Sequence, residues 1–340
     1  MIGFDKGNET NKALNGSKKS VINADLSTSS DLTQAARLPE NANICFQGPV
    51  KVGAFELDEN VARKMLSAPQ NVNGRPNSDV VRPWLNGIDI TSTPRNMWII
   101  DFGDMQQTEA ALYELPFEYV RRVVKPSRDQ NNRERRKIYW WQHGESVPGL
   151  RKATISHERI ILTPRVAKHR LFVWAPIATL PDSRIYAFAR DDDYFFGILS
   201  SRLHEVWSLA TSSRHGVGND PTYNNTTCFE TFPFPWPPGR EPSGDPRVQA
   251  IAQAAKELVE MRDWWLAAGQ TSEVLETSEV SGPKRTLTNL YNARPTWLDL
   301  AHKKLDAAVF AAYGWPADLS DEQILERLLA LNLERAGQTT

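Results

Sequence analysis

The sequence predicts an α+β fold class, in which a mixed strand-and-helix domain is followed by a small helical domain. Short apolar runs alternate with Gly, Pro and Asn turns up to about residue 104, and similar runs return at residues 155–188. Long helical periods dominate only after the proline-rich stretch FPFPWPPG at residues 232–239. The length of 340 residues, with 40% hydrophobic and 24% charged residues, suits one large domain or two ordinary ones.

The first domain is expected to combine short strands with two longer helices. Strands are predicted at ICFQG, VKVGAFEL, MWIIDFG, RIILTPRV, RLFVWAP and IYAFAR. Residues 106–124 have a helical period that Pro116 bends or breaks. Residues 191–211 are predicted to form one helix with acidic residues at its N-terminus, where they favour the helix dipole. Its apolar face, which should pack inwards, consists of Phe195, Leu199, Leu203 and Trp207.

The last third of the chain reads as helical. A long amphipathic helix is predicted at residues 246–268, followed by a polar loop at 270–281. Two more helices are predicted at residues 294–312 and 321–334. Ser320 and Gln323 have the spacing of a capping box at the start of the last one. No residues that suggest chemistry stand out in this third, so residues 86–234 are the candidate region for function.

Composition excludes several classes of protein. No apolar run approaches the roughly 20 residues needed to span a bilayer, and the first residues lack the pattern of a signal peptide. A cytoplasmic protein without a membrane partner is therefore expected. The two cysteines, Cys45 and Cys228, are too few for a disulfide framework or a four-thiolate zinc site. Both are expected to be buried thiols.

Charge is distributed unevenly along the chain. Residues 121–170, the basic block, hold 14 Lys and Arg against 4 Asp and Glu, a net charge of +10. Residues 241–340 hold 10 against 15, a net charge of −5. Such a block is typical of a surface that binds DNA phosphates, and the interleaved aromatic residues of IYWWQHG favour that interpretation. A solvated, salt-bridged helix face remains the alternative.

Catalytic patterns are mostly missing. A Gly-rich cofactor turn should follow a strand, whereas HGVGND at His215 follows a predicted helix. The histidines lack metal-ligand spacing, and His204 reads as a satisfied, partly buried side chain rather than a base. The tetrapeptide DPTY, which ends at Tyr223, lies one residue from the D/N-P-P-Y motif of DNA amino-methyltransferases, but it precedes a proline-rich linker. We therefore predict no catalytic residue and no metal site.

A series of stretches resembles a known family. They are RPWLNGIDI, MWIIDFG, VKPSRDQNNRERRKIYWWQHGE, TPRVAKHRLF, LSSRLHEVW, GNDPTYNNTTCFETFPFPWP, LTNLYN and the final LDAAVFAAYGWPADLSDEQILERLLALNLER. In this order they resemble the C-terminal half of MmeI-like Type IIL restriction-modification enzymes and of related adenine-specific DNA methyltransferases. The resemblance runs from about residue 2 to 335. It implies the end of an upstream methyltransferase domain at residues 1–37, a target recognition domain at 38–238 and a helical C-terminal domain at 239–340.

The resemblance implies double-stranded DNA as the partner. Lys and Arg side chains on phosphates would fix the register, while a few side chains would read base edges. The candidate phosphate contacts are Arg128, Arg133, Arg135, Arg136, Lys137, Arg165, Lys168, His169 and Arg170. The last four of these suit phosphate contact or maintenance of the fold. The candidate base readers are Arg214, which could pair with guanine, Asn219, which could pair with adenine, and His215 and Tyr223.

Three functional hypotheses follow. The leading one is sequence-specific DNA recognition, as the specificity portion of a restriction-modification DNA methyltransferase, without catalysis or cofactor in this chain. S-adenosylmethionine binds the upstream domain in the full-length family. The second is a split N6-adenine DNA methyltransferase half that works with a separately encoded catalytic methyltransferase chain. The third is a non-catalytic protein-interaction module, in which the basic block is merely solvated.

Overall fold

The computed structural model describes residues 12–14, 17–19, 30–215, 220–270 and 284–338. Its strands are β1 (Lys12–Leu14), β2 (Ser17–Lys19), β3 (Cys45–Gln47), β4 (Glu56–Leu57), β5 (Val81–Leu85), β6 (Trp98–Ile100), β7 (Arg159–Pro164), β8 (Val173–Pro176), β9 (Leu180–Pro181), β10 (Ile185–Phe188), β11 (Ser213–His215) and β12 (Asp220–Thr222). Its helices are α1 (Glu59–Leu66), α2 (Gly87–Thr91), α3 (Gln107–Ala110), α4 (Glu114–Val123), α5 (Lys125–Asp129), α6 (Glu134–Ile138), α7 (Pro148–Ala153), α8 (Asp193–Ser200), α9 (Arg202–Ala210), α10 (Pro246–Gln270), α11 (Leu287–Ala293), α12 (Thr296–Tyr313) and α13 (Asp321–Gln338).

The strands of the described residues form two four-stranded sheets and two small hairpins. The first sheet has the order β3-β10-β7-β8 and is antiparallel throughout. The second has the order β4-β6-β5-β9, with one parallel pair between β5 and β9. Strands β1 and β2 pair as one hairpin, and β11 and β12 as the other. Mostly antiparallel sheets with helices packed around them confirm the predicted α+β class.

Two hydrophobic cores lie beneath these sheets. One gathers side chains from residues 55–141 and Leu180 around the second sheet. The other joins the first sheet to helices α8 to α13, so a single core runs from β3 to the end of the chain's helical part. Gly197 brings α8 close to α10, because a Cβ at this position would lie 2.7 Å from the Cγ2 of Ile251. The proposed domain limits at residues 38 and 239 stay a prediction.

The helix predicted at residues 106–124 is two helices, and Pro116 does not break it. The interruption lies at residues 111–113, between α3 and α4. Pro116 occupies the first turn of α4, where its missing N–H would have no intrahelical acceptor anyway. We predicted the break at Pro116 because proline disrupts the interior of a helix. Here Pro116 lies in the first turn, where proline is tolerated.

The helix predicted at residues 191–211 is also two helices. Ser201 takes an extended backbone conformation between α8 and α9. The new N-terminus is satisfied from outside, because the Oδ1 of Asp306 on α12 accepts the backbone N–H of Arg202 at 2.7 Å. Periodicity did not reveal the break, since the apolar positions continue across it. The predicted inward face is confirmed: all four of its side chains are buried.

The C-terminal helices agree with the prediction, with one addition. Helices α10, α12 and α13 lie where the periods placed them. The capping box is complete, because Ser320 Oγ accepts from the N–H of Gln323 at 3.3 Å and Gln323 Oε1 accepts from the N–H of Ser320 at 2.9 Å. Helix α11, formed by the stretch LTNLYNA, was not predicted as a helix. Cys45 and Cys228 are buried free thiols, as expected.

Candidate nucleic-acid interface

A cleft of about 490 Å³ opens where the first sheet meets helix α2 and the β11-β12 hairpin. Its lining combines polar and apolar surface and includes two arginines from separate segments, Arg165 and Arg184. The lining residues are Asn86, Gly87, Ile88, Thr91, Arg165, Val166, Arg184, His215 and Thr222. One of the predicted phosphate contacts and one of the predicted base readers therefore lie at the same cleft.

Backbone hydrogen bonds align the cleft's segments side by side. Strands β7 and β10 pair up to Pro164 and Ile185, and the next N–H along, that of Arg165, donates to the carbonyl of Arg184 at 2.8 Å. On its other side, the carbonyl of Arg165 accepts the N–H of Tyr223 at 2.7 Å. The hairpin is thus attached directly to the edge of the first sheet.

Two arginines face each other across this extension of the sheet. Arg184 is exposed and Arg165 is half-buried. Neither guanidinium forms an ion pair or a side-chain hydrogen bond with a residue in the described ranges. Like charges directly opposite each other on an antiparallel pair destabilise it. The sheet therefore carries an uncompensated cationic pair at the mouth of the cleft.

Further cations approach the same place from the second sheet. Burial lowers the pKa of Lys51, and the charges of Arg184 and Arg95 lower it further, whereas Asp182 opposes the shift. Arg95 forms a salt bridge of 2.7 Å with Asp89 and lies over the ring of Trp84. Because Lys51 is likewise paired with Glu56, both of these cations are balanced by carboxylates, unlike Arg165 and Arg184 within the described residues.

The turn that presents Arg184 is rigid. The Oδ1 of buried Asp182 accepts the N–H of Arg184 at 2.9 Å, and the Nε2 of Gln47 donates to the carbonyl of Ser183 at 2.8 Å. Gly48 packs against the same turn so closely that a Cβ would lie 2.3 Å from the carbonyl oxygen of Asp182. Sequence reasoning missed Arg184, because it stands alone in LPDSRIYAF rather than in a basic run. The Asp-Ser pair between two apolar runs was the available signal of a turn.

The β11-β12 hairpin carries the exposed base-reading candidates. Residues 213–215 are all exposed, and they pair with residues 220–222. The predicted exposure of this stretch is confirmed for Arg214 and His215, although they lie on a short strand rather than in a loop. Asn219 lies outside the described residues.

Tyr223 has a different place from the one predicted. It is only 1% exposed, and its hydroxyl is 3.1 Å from the Nε2 of His204. Burial raises the pKa of Tyr223 well above its usual range and lowers that of His204 to about 3. A ring held inside the core beneath the first sheet does not reach a base edge or stack on a flipped base. The pair instead confirms His204 as a satisfied, buried histidine.

Two of the predicted phosphate contacts are structural arginines. Arg128 is 1% exposed, and its Nη2 donates to the carbonyls of Lys51 and Gln142 at 3.0 and 2.8 Å. Burial lowers the pKa of Arg128 to about 10. Arg170 is also buried, and its Nη1 donates to the carbonyl of Pro164 at 2.6 Å. Because backbone carbonyls already occupy both guanidiniums away from the surface, we exclude them from the phosphate-binding set.

Lys168 and His169 join the two predicted domains. The Nζ of Lys168 lies 2.6 Å from the Oδ1 of Asn292 on α11, and the Nε2 of His169 lies 2.9 Å from the same oxygen. The ring of His169 also contacts that of Tyr291. This contact agrees with the fold-maintenance alternative that the sequence left open for these residues.

The basic block divides into paired and unpaired cations. Arg121, Lys125, Arg151 and Arg159 form ion pairs with carboxylates, as the solvated alternative requires. Helix α6 differs. Arg133, which precedes the helix, and Arg135 within it are exposed, Arg136 and Lys137 are half-buried, and Ile138 is 55% exposed. These four cations form no ion pair within the described ranges.

In the part of the chain that the structure describes, no group of three or more His, Cys, Asp or Glu side chains is placed to hold a metal ion. None of the described helices is long and apolar enough to cross a membrane.

Known proteins share this architecture. The profile of the family described as MmeI, target recognition domain, matches residues 49–236, more than half of the chain. The chain belongs to this family. The matched residues of this MmeI-type target recognition domain include the cleft, the β11-β12 hairpin and helix α6.

Two relatives support the assignment. DNA methyltransferase A of Bacillus subtilis is 32% identical over 180 residues, which are 51% of this chain and 18% of that protein. A structure of the Type IIL restriction-modification enzyme MmeI in complex with DNA matches with a TM-score of 0.66 and 15% identity. That match covers 94% of this chain and 39% of the MmeI chain, so this chain spans less than half of either relative. At this identity the structural match shows the fold, including the helical C-terminal part.

Proposed function

We propose that this chain recognises a specific sequence of double-stranded DNA, as the specificity portion of a restriction-modification DNA methyltransferase. One observation carries the proposal. The uncompensated pair Arg165 and Arg184 adjoins an exposed hairpin that bears Arg214 and His215. Membership of the MmeI target recognition family supports the same function.

The cleft and the hairpin suit different parts of DNA. Cations on a rigid surface suit phosphates, which fix the register without carrying sequence information. An exposed strand with a long forked donor suits base edges in the major groove, where one arginine can pair with the O6 and N7 of guanine. In this proposal Arg214 and His215 read bases, while the cleft and helix α6 hold the backbone.

In this proposal the chain contributes DNA recognition and no catalytic residue. We propose that the chain alone does not bind S-adenosylmethionine and that it acts in the cytoplasm. The alternative is a split methyltransferase half, which methylates DNA only together with a separately encoded catalytic chain. Calorimetry with S-adenosylmethionine tests the first point. Binding at micromolar concentration would instead favour a methyltransferase in this chain.

Selection from a random duplex library tests the function directly. The chain should enrich one short consensus, with or without an added catalytic chain, and its affinity should fall steeply as salt rises. Enrichment of methylated product only when the catalytic chain is added would identify the split methyltransferase. Absent or salt-independent DNA binding would reject the proposal and favour a protein-interaction module.

A further inference from the structure

We infer that Arg165 and Arg184 together bind a single phosphodiester group of the DNA backbone at the mouth of the cleft. The inference rests on the proposed function and adds a defined ligand and stoichiometry. Sequence patterns assigned Arg165 alone, as one of many cations, and gave Arg184 no role.

Strand geometry places the side chains of Arg165 and Arg184 within reach of the same phosphate. The register that sets Pro164 opposite Ile185, continued by one residue, sets Arg165 opposite Arg184. Side chains of residues opposite each other on an antiparallel pair leave the same face of the sheet. The N–H of Arg165 donates to the carbonyl of Arg184, and both side chains line the cleft. Their guanidiniums can therefore reach the same small anion from adjacent positions.

The charge balance of the site calls for an anion. The nearest acidic side chain in the turn, Asp182, is buried and already accepts the N–H of Arg184. The nearby cations Lys51 and Arg95 are already paired with their own carboxylates, Glu56 and Asp89, so these carboxylates do not compensate Arg165 or Arg184. An anion at the cleft would offset the repulsion between Arg165 and Arg184.

A phosphate fits this pair better than a base edge does. A guanine edge occupies one guanidinium fork, whereas the oxygens of a phosphate can accept parallel hydrogen bonds from two arginines. The rigid turn at Asp182 also suits a contact that fixes register. By contrast, the hairpin strand that carries Arg214 is exposed along its whole length, as a base reader requires.

The salt dependence of DNA binding measures the stoichiometry. Each phosphate contact contributes roughly 0.9 to the slope of log affinity against log salt. If the two arginines share one phosphate, the double variant Arg165→Gln, Arg184→Gln should lower the slope by about 0.9, and each single variant by clearly less. A loss of about 1.8 in the double variant would mean two separate phosphates and would overturn the shared site.

Removing the charge of single phosphates shows which phosphate of the duplex the two arginines bind. Once the consensus duplex is known, each of its phosphates is replaced in turn by an uncharged methylphosphonate. One methylphosphonate should lower the affinity of the wild-type chain for DNA about as much as the double substitution lowers the affinity for the unmodified duplex. The same methylphosphonate should not lower the affinity of the double variant further. Independent losses from protein and DNA changes would contradict the inference.

Stability and a matched control separate binding from folding. Because removal of one charge relieves the repulsion, each single variant should keep or raise the thermal midpoint while it weakens DNA binding. Arg240→Gln, at an exposed arginine in the loop before α10, should change neither. If the wild-type chain does not bind DNA at all, the proposed function fails. If it binds and the double variant binds equally well, only the phosphate site fails.

Discussion

The side chain of Asn332, on the last helix, is paired with the backbone of Ala36, near the start of the first described long segment. Its Oδ1 accepts the N–H of Ala36 at 2.9 Å, and its Nδ2 donates to the carbonyl of Ala36 at 2.8 Å. The Nδ2 also donates to the carbonyl of Thr231 at 2.7 Å. Asn332 is fully buried, so one side chain holds together three segments that are remote in sequence.

Replacement of Asn332 should destabilise the core that joins the first sheet to the C-terminal helices. Asn332→Leu fills a similar volume but leaves one N–H and two carbonyls without their partner. Unsatisfied buried polar groups of this kind cost about 1–3 kcal/mol each, and partial access to water should hold the total loss to about 2–4 kcal/mol. Urea denaturation measures the free energy of unfolding. Asn132→Leu, at an exposed asparagine, should be nearly neutral, and an equal loss in both variants would contradict the role of Asn332.

Helix α6 should add non-specific affinity for DNA. Arg133→Gln combined with Arg136→Gln should weaken all duplexes alike and reduce the salt slope by about 0.9 for each lost phosphate contact. Arg135 is kept in this variant, because its Nη1 donates to the carbonyl of Gly144 at 3.1 Å and its loss could disturb the fold. Binding titrations at several salt concentrations provide the measurement. Arg121→Gln is the control, since Arg121 is paired with Glu118. An unchanged salt slope would show that the cations of α6 are solvated and do not contact DNA phosphates.

Arg214 should determine the preference at one base pair. If its guanidinium pairs with a guanine, Arg214→Ala should cost roughly 1–3 kcal/mol on the preferred site and relax the selected consensus at that position alone. Repeated selection from the random library with this variant checks the consensus. A weaker affinity with an unchanged consensus and a lower thermal midpoint would instead make Arg214 a structural residue.

The carboxyl of Asp306 should make stability depend on pH. Burial raises its pKa from 3.8 to about 6, although the N–H of Arg202 opposes the shift. Since the folded chain holds this proton more tightly than the unfolded chain, the group stabilises the fold below pH 3.8, and this contribution is lost as pH rises through about 6. Its size is of the order of 3 kcal/mol.

Asp306→Asn tests this assignment, because the amide oxygen can still accept the N–H of Arg202. The variant should unfold at a higher temperature than the wild type at pH 7, and the difference should shrink as pH falls from 6 to 4. Asp318→Asn, at an exposed carboxyl, serves as the control. A difference that is constant over this pH range would exclude Asp306 as the titrating group.

Local patterns in the sequence determined much of the architecture. The apolar runs around Phe46, Ile99 and Ile161 became strands, and the long periods after residue 245 became helices, because hydrophobic periodicity reports which face of an element is buried. The capping box at Ser320 could also be predicted from the sequence, because both of its partners lie within one helical turn. The series of family motifs likewise predicted the MmeI target recognition domain.

Only the tertiary structure decided which of the predicted DNA-binding cations are buried and which line the cleft. Arg128 and Arg170 sit in basic stretches but are buried on backbone carbonyls, whereas Arg184 stands alone in the sequence and lies at the cleft. The break at Ser201 depends equally on a remote carboxylate, that of Asp306. Composition records how many charges a segment carries, but the burial and partners of each charge depend on segments tens to hundreds of residues away. That long-range pairing is why Arg165 meets Arg184 and Asn332 meets Ala36.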